Sequence, residues 1–117
     1  MSYRNAAREL SKNIQIIDNS FEANNLQVLG ASCIARSDDE GDLYVFVELA
    51  TISGSTINNS VWIKINLYDN DNHLYMTCRE LIWDDKFSGY DTIEIDCYDN
   101  GHVLDTASKM RLFCVKA

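Results

Sequence analysis

Proline is absent from this 117-residue chain, and glycine occurs only five times. Without proline there are no polyproline segments, and the turns fall to Asn, Asp, Ser and the few glycines. None of those glycines forms GxGxxG or GKS/T, which excludes a phosphate-cradling loop. GxSxG and CxxC are missing as well, so the hydrolase nucleophile turn, the zinc ribbon and the thioredoxin-like motif are excluded. No apolar run approaches the length of a membrane span. The N-terminal segment lacks the basic start and apolar stretch of a signal peptide. The expected location is cytoplasmic.

Positive charge is also scarce. Ten Lys and Arg stand against eighteen Asp and Glu, a net charge of −8. The cations are spread along the chain while the carboxylates crowd the predicted loops, so neither nucleic acid nor an anionic membrane surface is expected as a partner. The hydrophobic fraction of 46% is an ordinary globular value. A chain of this size buries roughly two thirds of its unfolded surface, enough for one core without metals or disulfides.

What is present alternates. Along residues 61–69, Val61, Ile63, Ile65 and Leu67 take one parity and Trp62, Lys64, Asn66 and Tyr68 the other, the period of a strand. The Asp/Asn cluster at 70–72 turns the chain, and 73–81 returns as the second arm of a hairpin. Further strand-like runs cover 14–18, 26–36, 43–52, 90–98 and 109–116. Gly30, within 26–36, marks a bulge. Asp99-Asn100-Gly101 reads as the type I′ turn of a second hairpin. Seven or eight short strands at about 8 to 12 residue spacing predict an all-β, antiparallel β-sandwich. Residues 2–12 alone have helix-friendly composition. The chain therefore divides into a short helical or flexible leader, 1–12, and a β-sandwich domain, 13–117.

Ile65-Asn66-Leu67-Tyr68-Asp69 resembles the signature of the FxLYD domain, with Ile in place of the first Phe. Gly54 followed by Asn58-Asn59 is similar to that family's approach to the strand, and Ser88-Gly89-Tyr90 to its later turn. The resemblance covers residues 43–116. It implies a small immunoglobulin-like sandwich of bacterial or archaeal type with no established catalytic role. Members of that family are mostly exported or lipid-anchored, whereas this chain shows no export signal, so location is not carried across.

Carboxylates cluster at Asp38, Asp39, Glu40 and Asp42, at Asp69 and Asp71, and at Asp84 and Asp85. Acidic loops at one end of a sandwich can supply the six to eight oxygens calcium takes. An EF-hand is excluded, because Leu74 stands where that loop requires Gly and strands flank it. Two histidines, His73 and His102, are too few for a transition-metal site. Cys78, Cys97 and Cys114 share parity with apolar neighbours, so they are expected as buried thiols, reduced in the cytosol. Burial raises a thiol's pKa and opposes nucleophilic use.

No catalytic constellation remains, and no cofactor is expected. The function expected is a non-enzymatic protein-interaction or assembly module, binding a protein partner or itself through Trp62, Tyr68 and Trp83. One alternative is a calcium-binding sandwich using Asp38, Asp39, Asp42, Asp69, Asp71, Asp84 and Asp85. Another is a small-ligand or carbohydrate-binding module in which Trp62 or Trp83 stacks on sugar.

Overall fold

The structure, a computed structural model, describes residues 2–117; Met1 lies outside it. The elements in chain order are α1 (Tyr3–Ser11), β1 (Ile14–Ile16), α2 (Asp18–Glu22), β2 (Leu26–Ala35), β3 (Leu43–Thr51), β4 (Val61–Tyr68), β5 (Leu74–Ile82), β6 (Tyr90–Cys97), α3 (Val103–Thr106) and β7 (Lys109–Lys116). The strands form two sheets, ordered β1-β7-β4-β5 and β2-β3-β6. Every pairing is antiparallel except β1 with β7. The fold is a β-sandwich-like stack of a four-stranded and a three-stranded sheet.

Alternation produces the core directly. On β4 every odd residue from Val61 to Leu67 is fully buried, and on β3 Leu43, Val45, Val47 and Leu49 are buried with them. Met110, Leu112 and Cys114 of β7 complete one inner face, and Ile93, Ile95 and Cys97 of β6 the other. Each such side chain contributes about 1.5–3 kcal/mol by leaving water. All four cysteines are free and buried. The ladder between β2 and β3 shifts between Val28 and Gly30, the bulge that the glycine predicts.

The N-terminal segment is a docked helix. The Ser2 hydroxyl accepts the Asn5 N–H at 3.1 Å as an N-cap. Ala7 and Leu10, a turn apart, are buried. The Ser11 hydroxyl then accepts the backbone N–H of Cys33 at 2.9 Å, tying α1 to the edge of β2. A helix this short is marginal in water, and packing on β2 holds it.

Two local expectations fail. The first strand stops at Ile16, and the chain turns into the short helix α2, which buries Phe21. Ser20 of α2 uses its hydroxyl to accept the Cys114 N–H at 3.0 Å, a partner remote in sequence. The second hairpin is also absent. Asn100 and Gly101 do take the positive φ values expected, 49° and 87°. However, β6 and β7 belong to different sheets, and α3 carries the chain between them. Asp42 fixes this crossover: its carboxylate, 0% exposed, accepts the N–H groups of Asp99 and Gly101, each at 2.8 Å.

Candidate functional site

The outer face of the four-stranded sheet is the most distinctive surface. Register places Trp62 beside Leu81 and Val115, Lys64 beside Arg79 and Phe113, Asn66 beside Thr77 and Arg111, and Tyr68 beside Lys109. Gln15 of β1 lies next to Arg111. Four of the chain's ten cations therefore share one face, with three aromatic rings and no carboxylate. Among the described residues, Lys64, Arg79, Lys109 and Arg111 form no ion pair. The cations are dispersed in sequence, but the fold gathers them.

The aromatics and cations order one another. The Arg79 guanidinium lies 4.0 Å from the Trp62 ring centroid. Lys109 and Arg111 stand 5.3 and 4.9 Å from the Tyr68 ring. Such contacts contribute about 0.5–1 kcal/mol each at exposed sites, and they hold long side chains near the sheet. Asn66 donates to the Tyr68 phenol oxygen at 3.4 Å, and Arg111 at 3.3 Å. The Asn66 bond first, and then Arg111 and Lys109, bring the phenol below its ordinary pKa. Arg111 also donates to Gln15 at 2.8 Å. The result is an organised cationic surface with room for carboxylates.

Of the three aromatic residues singled out in sequence, Trp62 and Tyr68 lie on this face, both half-buried. Trp83 does not. It sits in the loop beyond β5, 53% exposed, on a cleft of about 460 Å³ whose lining includes Glu80, Lys86, Asp91 and Glu94. Sequence reading missed the cationic set. Its signal was present in the parity, because Lys64, Arg79, Lys109 and Arg111 all occupy outward positions of their strands. The register needed to unite them was not.

The acidic residues separate into unlike environments. Asp38 and Asp39 are exposed, Asp38 pairing with Arg4 at 3.2 Å. Asp42 is not an exposed loop acid, because both oxygens are committed to backbone N–H groups. Asp84 accepts from the Ser60 hydroxyl at 2.9 Å, and Asp85 is exposed. Asp69, Asp71 and His73 bring ligand atoms within 4.8 Å of one another. However, Asp69 Oδ1 accepts the N–H groups of Asp71 and His73 at 2.9 Å, the ordinary stabilisation of an Asx turn.

At the end of the sandwich near Asp42, the Tyr75 hydroxyl donates to Asp99. Burial first, and then the Asp99 hydrogen bond, push the Tyr75 pKa up to about 12. Inside, burial raises the thiols of Cys33 and Cys114, the latter to about 12. The buried thiols of Cys78 and Cys97, one from each sheet, influence each other, the pKa of Cys78 being lowered and that of Cys97 raised. Among the described residues, no imidazole or carboxylate hydrogen-bonds any of these thiols; Cys33 Sγ meets only the Ser11 hydroxyl and the Ala7 carbonyl.

No protein-family profile matches the sequence. No curated protein matches it either. Among solved structures, the chain is similar to part of a glycosyl hydrolase family 2 member from Bacteroides cellulosilyticus DSM 14838, at 12% identity and a TM-score of 0.37. That alignment covers 80% of this chain and 14% of the hydrolase. Among the described residues, no helix is long and apolar enough to cross a membrane.

Proposed function

We propose that the protein is a non-enzymatic interaction module that docks an acidic protein surface on its four-stranded sheet. The observation that carries this reading is the segregation of Lys64, Arg79, Lys109 and Arg111, none ion-paired, on a face free of carboxylates in a chain of net charge −8. Trp62 and Tyr68 serve as anchors, since aromatic and arginine side chains concentrate interface energy. The location proposed is the cytoplasm.

An acidic polypeptide suits the face better than nucleic acid does. The dispersal of cations in sequence no longer argues against a phosphate backbone, because the fold collects them. Two other features do. Cations already occupy the ring faces on which bases would stack. A long polyanion would also extend beyond the sheet into the acidic loops.

The four-plus-three division of strands supports an immunoglobulin-like architecture of the FxLYD kind, although the strand order differs from the ABED and CFG arrangement. In that resemblance the matched residues end β4, with Leu67 buried, Tyr68 on the docking face and Asp69 closing the turn.

Polyglutamate is the probe for this reading, followed through Trp62 fluorescence. Binding should weaken about tenfold or more in a Lys64→Glu, Arg111→Glu variant, because each surface ion pair contributes up to about 1 kcal/mol and reversal adds repulsion. Binding should also fall with added salt. Absence of polyglutamate binding, or tighter capture of oligothymidylate than of polyglutamate, would sink the reading.

The Trp83 cleft supports a second reading, a carbohydrate-binding site, because an exposed indole there stands with Glu80, Asp91 and Glu94. Stacking of a sugar ring on Trp83 would shift its fluorescence on titration with oligosaccharides. A Trp83→Ala variant with unchanged binding would remove it.

A further inference from the structure

The three-stranded sheet turns the opposite charge to solvent. Register sets Tyr44 beside Asp96, Phe46 beside Glu94, and Glu48 beside Thr92 on its outer face. Tyr90 donates to Glu48, and Arg36 pairs with Asp96 at 3.2 Å. Glu94 is exposed and has no ion-pair partner among the described residues. Three carboxylates thus stand against one arginine, between rings that include Phe46 and Tyr90. The back of the sandwich has the same make-up as the front, aromatic rings among charges, with the sign inverted.

We propose that the acidic surface docked by the four-stranded sheet is the three-stranded sheet of a second copy of this chain, giving front-to-back self-association. This rests on the reading of the cationic face given above. Like faces repel, so a two-fold pairing of either face with itself is disfavoured, and only the heterologous contact joins opposite charges. A heterologous contact leaves one free face at each end, so the assembly adds further copies unless it closes into a ring.

The contact is small. With eight residues in β6 at ~3.3 Å and three strands at ~4.8 Å spacing, the acidic face measures about 400 Å². That is half the roughly 800 Å² per partner of a stable interface. Association is therefore weak, and screening removes it readily: the Debye length falls from ~30 Å at 0.01 M salt to ~3 Å at 1 M.

Sedimentation equilibrium of the whole chain at millimolar protein and low salt tests this. The weight-average mass should rise at least twofold above the monomer's and return to it in molar salt. A variant with the cationic face reversed (Lys64→Glu, Arg111→Glu) and one with the acidic face reversed (Glu48→Lys, Glu94→Lys) should each remain monomeric alone. Mixed together they should associate again, because each supplies the intact face that the other has lost. The milder Lys64→Gln and Glu94→Gln substitutions, which do not threaten folding, should each lower association severalfold. A chain that stays monomeric at low salt, or a reversed variant that still associates alone, would overturn front-to-back association. If polyglutamate still binds in that case, the cationic face keeps its proposed role with a foreign partner. If polyglutamate fails too, both readings fall.

Discussion

The carboxylate of Asp42 accepts the backbone N–H of Gly101 at 2.8 Å, joining residues 59 positions apart in the chain. The other oxygen accepts the Asp99 N–H, and the neighbouring backbone reinforces the junction. Gly41 donates its N–H to the Gly101 carbonyl at 2.9 Å, and its own carbonyl accepts from Leu104 at 2.7 Å. A Cβ on Gly41 would lie 2.5 Å from the Gly101 oxygen, so only glycine permits this approach. One short segment before β3 thus holds the crossover that leads from one sheet to the other.

Replacing Asp42 with Ala should cost about 2–6 kcal/mol, because two partly buried N–H groups lose their acceptor at about 1–3 kcal/mol each. Asp38→Ala, four residues away but exposed, should change stability by less than about 0.5 kcal/mol. Urea unfolding of the two variants side by side makes the comparison. Equal midpoints would mean that Asp42 does not hold the crossover.

Alkaline pH should destabilise the protein partly through Tyr75. Its pKa is raised from 10.0 to about 12, first by burial and then by the hydrogen bond to Asp99. Below pH 10 folded and unfolded chains both keep this proton. Between 10 and 12 the unfolded chain releases it first, so stability falls as pH rises through that window. Thermal melting from neutral pH to pH 12 should therefore show a shallower decline for Tyr75→Phe than for the unmodified chain.

The four thiols should resist alkylation in the native state and react as the chain unfolds, since burial raises Cys33 and Cys114 and hides all four. Cys78 should be first to react during partial opening, because it lies on the edge strand β5 and the neighbouring Cys97 thiol lowers its pKa. Mass mapping of iodoacetamide adducts across a urea series checks the order. Early labelling of Cys97 or Cys114 would contradict it.

The core was legible in the sequence because strand alternation is local. Val61 to Leu67 announces its inner parity without knowledge of any partner, and the burial follows it residue by residue. Even the backbone of Asn100 and Gly101 was legible, since positive φ depends on those residues alone. What the turn connects was not, because that depends on Asp42 and on which sheet β7 joins. The candidate site divides the same way. Trp62 and Tyr68 could be selected by parity, but the company they keep could not. Lys64, Arg79 and Arg111 meet only after β4 has taken β5 on one side and β7 on the other. Long-range register carries no short-range signature in composition or periodicity.

The place of β7 has a consequence for how this chain reaches its native state. It is the last strand in order, yet it lies between β1 and β4, bonded to both. Until it inserts, the flank of β4 is an unzipped hydrogen-bonding edge beside the apolar residues Ile63 and Ile65. An N-terminal fragment ending before residue 109 would therefore expose a sticky seam, and such fragments should precipitate where the intact chain stays dissolved.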